Sequence, residues 1–211
     1  MFDLDGTLTR HDTLLPYLAG FLWRHPQRLA RLPLLLPALT RFAVGRADEG
    51  AVKSAAIRAV LGGRTRQEIE EWTDEFVLRL LARGMRADAL AVLEAHRRAG
   101  DLLVLLSASA DLYVPAIGKA LGFAETVCTG VEWDGERLTG RLSTPNRRGP
   151  EKARAVAALR REHPGLAVVA YGNAASDLEH LALVERATLV NGSARARRGA
   201  ARLSIDCATW R

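Results

Sequence analysis

The chain has little cysteine: Cys128 and Cys207 are the two in 211 residues. They lie far apart without a metal-type spacing, which excludes a disulfide framework and a cysteine-rich zinc site and fits free thiols in a reducing compartment. No apolar run approaches the about 18 residues that a membrane-spanning helix needs. Asp3 and Asp5 interrupt any apolar signal-peptide core near the start, so a cytoplasmic location is expected. Aromatic residues are few, at 6%. They do not interleave with basic residues, and no helix-turn-helix or ribonucleoprotein pattern occurs, so nucleic acid is not the expected partner. Internal repeats, low-complexity linkers and long charge blocks are absent too.

What is present is an ordinary globular composition, 48% apolar. A chain of this length forms one domain, or a core with a modest insertion, and buries about 70% of its unfolded surface without covalent staples. The net charge is +6 and the isoelectric point about 10.0, with arginine far outnumbering lysine. That balance suits anionic lipid, nucleic acid or phosphorylated small molecules. It also arises from the arginine and alanine bias of a GC-rich genome.

Residues Phe2 to Thr9 read Phe-Asp-Leu-Asp-Gly-Thr-Leu-Thr. In an extended strand, positions i and i+2 point the same way, so Asp3 and Asp5 face one site. Gly6 then lets the backbone turn. Two such acids suit a hard cation, which prefers oxygen ligands, and one acid can attack while the other handles protons. The plainer reading is a surface turn, since Asp-Gly is a common turn pair. The strand carrying Asp3 would begin at Met1, shorter than the usual about five or six residues, and the expectation is that the native start lies upstream.

Residues 11–86 read as helices. Thr13 to Trp23 has helical apolar spacing. Arg31 to Thr40 is greasy, broken by Pro33 and Pro37, and surrounded by Arg24, Arg28, Arg31, Arg41 and Arg46. Asp48 caps a helix running to Gly62-Gly63, and Thr65-Arg-Gln-Glu68 fits a capping box. The helix after it puts Ile69, Trp72, Phe76 and Leu80 on one core-facing side and stops near Gly84.

From residue 87 helices alternate with short apolar runs. Expected helices are Ala87 to Ala99, Ala110 to Leu121, a helix from Pro150 ending before Pro164-Gly165, and Leu178 to Val184. Expected strands are Leu102 to Leu106, Leu166 to Ala170 and Ala187 to Val190, with a hairpin over Val127 to Leu142 turning at Asp134-Gly135. This series predicts an α/β fold with a doubly wound parallel sheet. Ligands in such sheets sit at the carboxyl ends of strands, where Asp3, Asp5, Ser107, Asn173 and Asp177 fall.

Ser107-Ala108-Ser109 follows a strand and precedes a helix, where a hydroxyl and free N–H groups can hold phosphate oxygens; a simple helix cap is the alternative. Lys152 sits in a helix's first turn, where cations are disfavoured; a solvated charge is the alternative there. Gly172-Asn173-Ala-Ala-Ser-Asp177 brings a carboxamide and a carboxylate four positions apart.

Taken together and in this order, Asp-x-Asp-Gly-Thr, strand-Ser, Lys at a helix start and Gly-Asn-x-x-x-Asp resemble the haloacid dehalogenase superfamily. The resemblance covers nearly the whole chain. The helices between the first two motifs look like the cap of its phosphoserine-phosphatase-like branch. Closer still, the chain looks like the bacterial branch containing phosphatidylglycerophosphatase C. The resemblance implies a core of residues 1–10 and 87–211 with a helical cap, residues 11–86, inserted after the first strand.

It also implies a Mg2+-dependent phosphomonoester hydrolase. Asp3 would be the nucleophile and Asp5 the general acid and base. Gly6, Thr7, Ser107, Ala108 and Lys152 would bind the phosphate. Asp3, Asp5, Asn173 and Asp177 would serve the metal. Dehalogenases of the superfamily lack an acid at the position of Asp5, so Asp5 argues for phosphate over halide. Most relatives carry Asp where this chain has Asn173; weaker metal affinity with retained activity is expected. Specificity in this branch lies in the cap. There an apolar stretch among arginines, Phe21 to Arg46, has the composition of a surface that rests on anionic lipid, or of a helix pair with solvated arginines. The expected substrate is a lipid phosphate such as phosphatidylglycerophosphate, with possible contact at the inner membrane face; a soluble monoester such as phosphoserine, or a non-catalytic binding protein, is the alternative.

Overall fold

A computed structural model describes residues 1–211. The strands in chain order are β1 (Val104–Ala110), β2 (Glu125–Thr129), β3 (Val131–Asp134), β4 (Arg137–Leu142), β5 (Val169–Gly172), β6 (Arg186–Val190) and β7 (Asp206–Ala208). β3 and β4 form an antiparallel hairpin; the other strands pair in parallel. Phe2 is the centre of that parallel sheet. It bridges Leu105 of β1 on one side and Tyr171 of β5 on the other, so the order is β2, β1, Phe2, β5, β6, β7.

Backbone bonds fix this short central strand on both sides. Phe2 N–H donates to Val104 O at 2.9 Å, Leu106 N–H to Phe2 O at 2.8 Å and Asp3 N–H to Tyr171 O at 2.9 Å. The Phe2 ring stacks on Tyr171, centroids 4.7 Å apart, and meets Phe123 edge-on at 5.9 Å. Successive strands add outward on one side of Phe2 and then on the other. The crossover therefore reverses there, which is where open parallel sheets bind ligands.

The helices are α1 (Leu14–Arg24), α2 (Leu36–Ala43), α3 (Glu49–Leu61), α4 (Arg66–Arg83), α5 (Ala87–Arg98), α6 (Val114–Ala120), α7 (Pro150–Glu162), α8 (Leu178–Leu181) and α9 (Ala194–Arg202). Between α1 and α2 the segment Pro26–Leu35 winds as tight 3-10 turns, with Pro33 inside it unable to donate a backbone hydrogen bond. Asp48 accepts from Ala51 N–H at 2.8 Å, capping α3. Thr65 and Glu68 close a capping box on α4. Tyr17, Trp72, Phe76 and Tyr113 form one aromatic cluster, with Tyr17 4.6 Å from Tyr113 and 5.0 Å from Phe76. The buried Tyr17 hydroxyl shares a 2.8 Å hydrogen bond with Thr73 Oγ1, which donates to Leu112 O at 2.9 Å. This polar link ties α1 and α4 to the loop after β1.

Several expected boundaries are corrected. β1 begins at Val104 and runs through Ser107 to Ala110, so α6 starts at Val114 rather than Ala110. Leu102 and Leu166 are exposed and precede their strands; β5 starts at Val169. Val127 to Thr129 belong to β2, which pairs with β1, and the hairpin proper begins at Val131. Asp134 pairs with Arg137, so the hairpin turn is Gly135-Glu136, with Gly135 at φ +55°. Helix α8 is confined to Leu178–Leu181, after a 3-10 turn over Ala175–Asp177.

Candidate active site

Beyond Phe2 the chain leaves the sheet at Asp3 and turns sharply. Thr9 N–H closes on Leu4 O at 3.0 Å, while the buried Leu4 and Leu8 anchor the turn. Gly6 sits at φ +77°, and a Cβ there would come within 2.0 Å of Asn173 Nδ2. Glycine is thus required both by the backbone angle and by the close approach of the Asn173 side chain.

Lys152, in the first turn of α7, is only 3% exposed. Its Nζ donates to Asp3 Oδ1 at 2.6 Å and to Asp177 Oδ1 at 2.8 Å. Burial works against its charge, but Asp3 and Asp177 outweigh it and hold the ammonium above its usual range. Asp177 is driven the other way: burial disfavours its charge, yet Lys152 keeps it below the usual carboxylate range. Burial pushes the Asp3 carboxyl up to about 7, against the pull of Lys152 and with Asp177 and Asp5 adding to the rise. Thr7 Oγ1 donates to Asp3 Oδ2 at 3.1 Å. Close by, burial pushes His180 down to about 4, with Lys152 reinforcing the shift, so its ring is neutral.

Asp5 is positioned by residues whose hydroxyls gave no sign of this in the sequence. Its Oδ1 accepts from Thr13 N–H at 2.7 Å and Thr13 Oγ1 at 2.6 Å. Its Oδ2 accepts from Ser109 Oγ at 2.6 Å. Thr13 Oγ1 also lies 3.1 Å from the Tyr113 hydroxyl. Burial raises the Asp5 carboxyl despite the Ser109 and Thr13 donors.

The remaining expected residues divide. Gly6, Ala108, Asn173 and Asp177 line one cavity of 570 Å³ with Asp3, Asp5 and Lys152. Ser107 is fully buried outside that wall, and its Oγ accepts from Ser109 N–H at 3.0 Å; Ala108 and Ser109 form the surface there. Asp177 Oδ2 accepts from Asn173 N–H at 3.1 Å and Ala174 N–H at 2.9 Å. With Lys152 on its other oxygen, Asp177 is committed to holding the lysine and the 173–174 loop.

The helical layer reaches into the same cavity. Lys53 of α3 donates from Nζ to Ala108 O at 2.6 Å and also to Asn146 Oδ1. Of the three lysines in the chain, Lys53 and Lys152 both line this space. Sequence reasoning missed Lys53, Asn146, Thr13 and Tyr113, and the bond from Ser109 to Asp5. A lone lysine on an exposed-looking helix carries no signal of its own, but its rarity in so arginine-rich a chain could have drawn attention to it.

The donor set fits a hard cation. Three buried or half-buried carboxylates, Asp3, Asp5 and Asp177, converge at the inner end, with Lys152 bonded to Asp3 and Asp177. Each carboxylate oxygen already accepts a hydrogen bond but keeps a further lone pair, and the Asn173 side chain adds an amide oxygen; oxygens are the ligands Mg2+ prefers. A separate group, Glu125, Glu162 and His163, brings ligand atoms within 4.8 Å of one another. It lies at the amino end of β2, away from the cavity at the strands' carboxyl ends.

A family model for haloacid dehalogenase-like hydrolases matches residues 1–182. Protein CicA of Caulobacter vibrioides is 34% identical over 188 residues, covering 87% of this chain and 82% of CicA. Among solved structures, a protein of unknown function from Bordetella pertussis superposes with a TM-score of 0.79 at 24% identity, covering 98% of this chain and 96% of that one. A phosphoserine phosphatase holding a phospho-aspartyl intermediate analogue superposes with a TM-score of 0.66 at 14% identity, covering 99% and 90%. These structural likenesses speak for the fold, and the sequence match carries the family. The parallel sheet, its helical layer and the match over residues 1–182 agree: the chain belongs to the haloacid dehalogenase-like hydrolases.

Proposed function

We propose that this chain is a phosphomonoester hydrolase whose nucleophile is the Asp3 carboxylate. The observation that carries this reading is the buried Lys152, bonded at once to Asp3 and Asp177 at the head of an open cavity. An Asp3 oxygen attacks phosphorus, and the bond from phosphorus to the substrate oxygen breaks. Asp5 gives its proton to that departing oxygen. The ionised Asp5 then takes a proton from water as the water attacks phosphorus, releasing inorganic phosphate and restoring Asp3. Thr7 holds the second oxygen of Asp3 throughout, and Lys152 offsets repulsion between two anions. Asp3, the Asp5 backbone carbonyl and Asn173 would hold Mg2+, which when bound supplies the positive charge that phosphoryl transfer needs.

The cavity wall adds Leu14, Leu15, Leu18 and Val52 to the charged set, along with Arg10 and Arg148. Apolar walls beside cations favour a phosphate carried on a lipid head group. A screen over p-nitrophenyl phosphate, lipid phosphates and soluble monoesters such as phosphoserine tests this. Turnover with Mg2+ and none in EDTA is expected, with lipid phosphates the best substrates. A chain inert on all of them would end the hydrolase reading.

The same assay tests Asn173. Asn173→Asp would add a full negative charge to the residues that would hold the cation. Half-saturation by Mg2+ should drop by about tenfold or more, since such a charge is worth over about 1.4 kcal/mol. Unchanged Mg2+ titration and unchanged turnover would show that residue 173 has no contact with the metal.

A further inference from the structure

The segment from Thr13 to Ala47 contains no acidic residue and five arginines, Arg24, Arg28, Arg31, Arg41 and Arg46. Within it the 3-10 turns Pro26–Leu35 and helix α2 bury none of their residues. Its apolar side chains lie open instead: Leu29, Leu34, Leu36, Leu39, Phe42 and Val44 are all exposed. Trp23, at the end of α1, is 89% exposed. On α1 it continues a stripe, Leu15, Ala19 and Trp23 at i, i+4 and i+8, all exposed. Leu15 is 71% exposed and also lines the catalytic cavity. The apolar surface therefore runs without a break in register from the cavity mouth along α1 toward the 3-10 turns.

The cations are divided between structure and solvent. Arg28 and Arg31 both donate to Gly62 O at 2.8 Å, pinning the turns to the end of α3. Arg24 pairs with Glu75. Arg41 and Arg46 make no side-chain hydrogen bond or ion pair, and they flank Phe42 and Val44. Exposed leucines, a phenylalanine and a tryptophan with unpaired arginines beside them and no acid for 35 residues match an anionic bilayer surface: apolar groups enter the acyl boundary, tryptophan sits at head-group depth and cations meet the phosphates. No helix of the chain is long and apolar enough to cross a membrane, so this is contact from one side.

We propose that the α1 stripe together with residues 23–46 is a docking surface for an anionic lipid bilayer, which sets the cavity mouth against the head groups. The docking stands on the surface alone; its use in presenting a lipid-borne phosphate rests on the hydrolase reading.

The full chain is floated with vesicles of phosphatidylcholine alone and of equal parts phosphatidylcholine and phosphatidylglycerol. Binding to the anionic vesicles is expected, weakened by salt and absent on the neutral ones. Arg41→Glu with Arg46→Glu should weaken it about tenfold or more, and Leu36→Ser with Phe42→Ser should do likewise. Both doubly substituted proteins should hydrolyse p-nitrophenyl phosphate like the parent, which also reports that they are folded. Intrinsic fluorescence should shift to the blue on anionic vesicles in the parent and lose that shift in Trp23→Phe. Failure of the parent to float, equal flotation of parent and charge-reversed protein, or a stable dimer closed over Trp23 and Phe42 overturns the surface. If flotation holds while p-nitrophenyl phosphate turnover is absent, the hydrolase reading fails and the surface stands.

Discussion

Replacing Asp3 with asparagine is expected to remove turnover, lowering kcat by about 10⁴-fold or more, in a protein that still folds. The amide oxygen can take over the 2.6 Å contact with Lys152 Nζ, and the amide nitrogen can face Thr7 Oγ1. Lys152 keeps Asp177 as a full counter-charge at 2.8 Å. In the proposed mechanism what is lost is the nucleophile: a carboxamide oxygen cannot carry a phosphoryl group through a displaceable acyl phosphate. Single-turnover mixing with a phosphomonoester, quenched in acid, should show protein-bound phosphate in the parent and none in Asp3→Asn. A variant that turns over at the parental rate would mean that water attacks phosphorus directly and Asp3 only positions it.

Asp3 and Lys152 were legible in the sequence because each carried a local mark. A lysine in a helix's first turn runs against ordinary local preference, and Asp3 was marked by its pairing with Asp5 on one side of an extended segment. The residues that hold Asp5 were not, because Thr13 before α1 and Ser109 in β1 look like any hydroxyl near a helix start. Their roles come from contacts spanning 8 and 104 residues, which no local pattern carries. The strand end at Ser107 was misplaced for a related reason. The strand was expected to end at Leu106, where the apolar run ends, but small residues carry β1 on to Ala110 and turn Ser107 inward.

The sheet shows the same division. Phe2 alone makes the central strand, and its place follows from two partners about 100 and 170 residues away. β2 and β3 are separated by Gly130 only, so one continuous run of strand-forming residues concealed a change of sheet. α9 and β7 were not anticipated: α9 is mostly arginine and alanine, and only Ala196 and Ala200, one turn apart, are buried. A stripe that narrow gives little periodicity to read.

Lys152→Met tests whether the buried cation serves the fold, the chemistry or both. Removing it leaves Asp3 and Asp177 facing each other with no ammonium between them, at 6% and 2% exposure. Breaking a buried pair in this way costs about 3–5 kcal/mol, readable as a fall in urea midpoint at pH 7. The pH dependence follows from the direction of each shift. In the parent, Lys152 holds the Asp177 carboxyl low, so that stabilisation is present above the unfolded-state range and is lost as pH falls through the folded one. In Lys152→Met the two carboxylates take up protons early and relieve their repulsion on acidification. The gap between parent and variant should therefore be widest at neutral pH and narrow as the solution is made acidic.

Turnover should fall independently by about 10²–10³-fold, the cost of removing one preorganised charge from a transferring oxyanion. Adding Asp177→Asn separates the two effects. Its remaining side-chain oxygen can still accept from Asn173 and Ala174 N–H, while one of the two uncompensated charges is gone. Lys152→Met with Asp177→Asn should regain much of the lost stability and none of the lost turnover. If both recover together, Lys152 acts on the reaction only by keeping the site folded. If neither does, the ammonium's fit between Asp3 and Asp177 is itself what holds the 173–174 loop against Gly6.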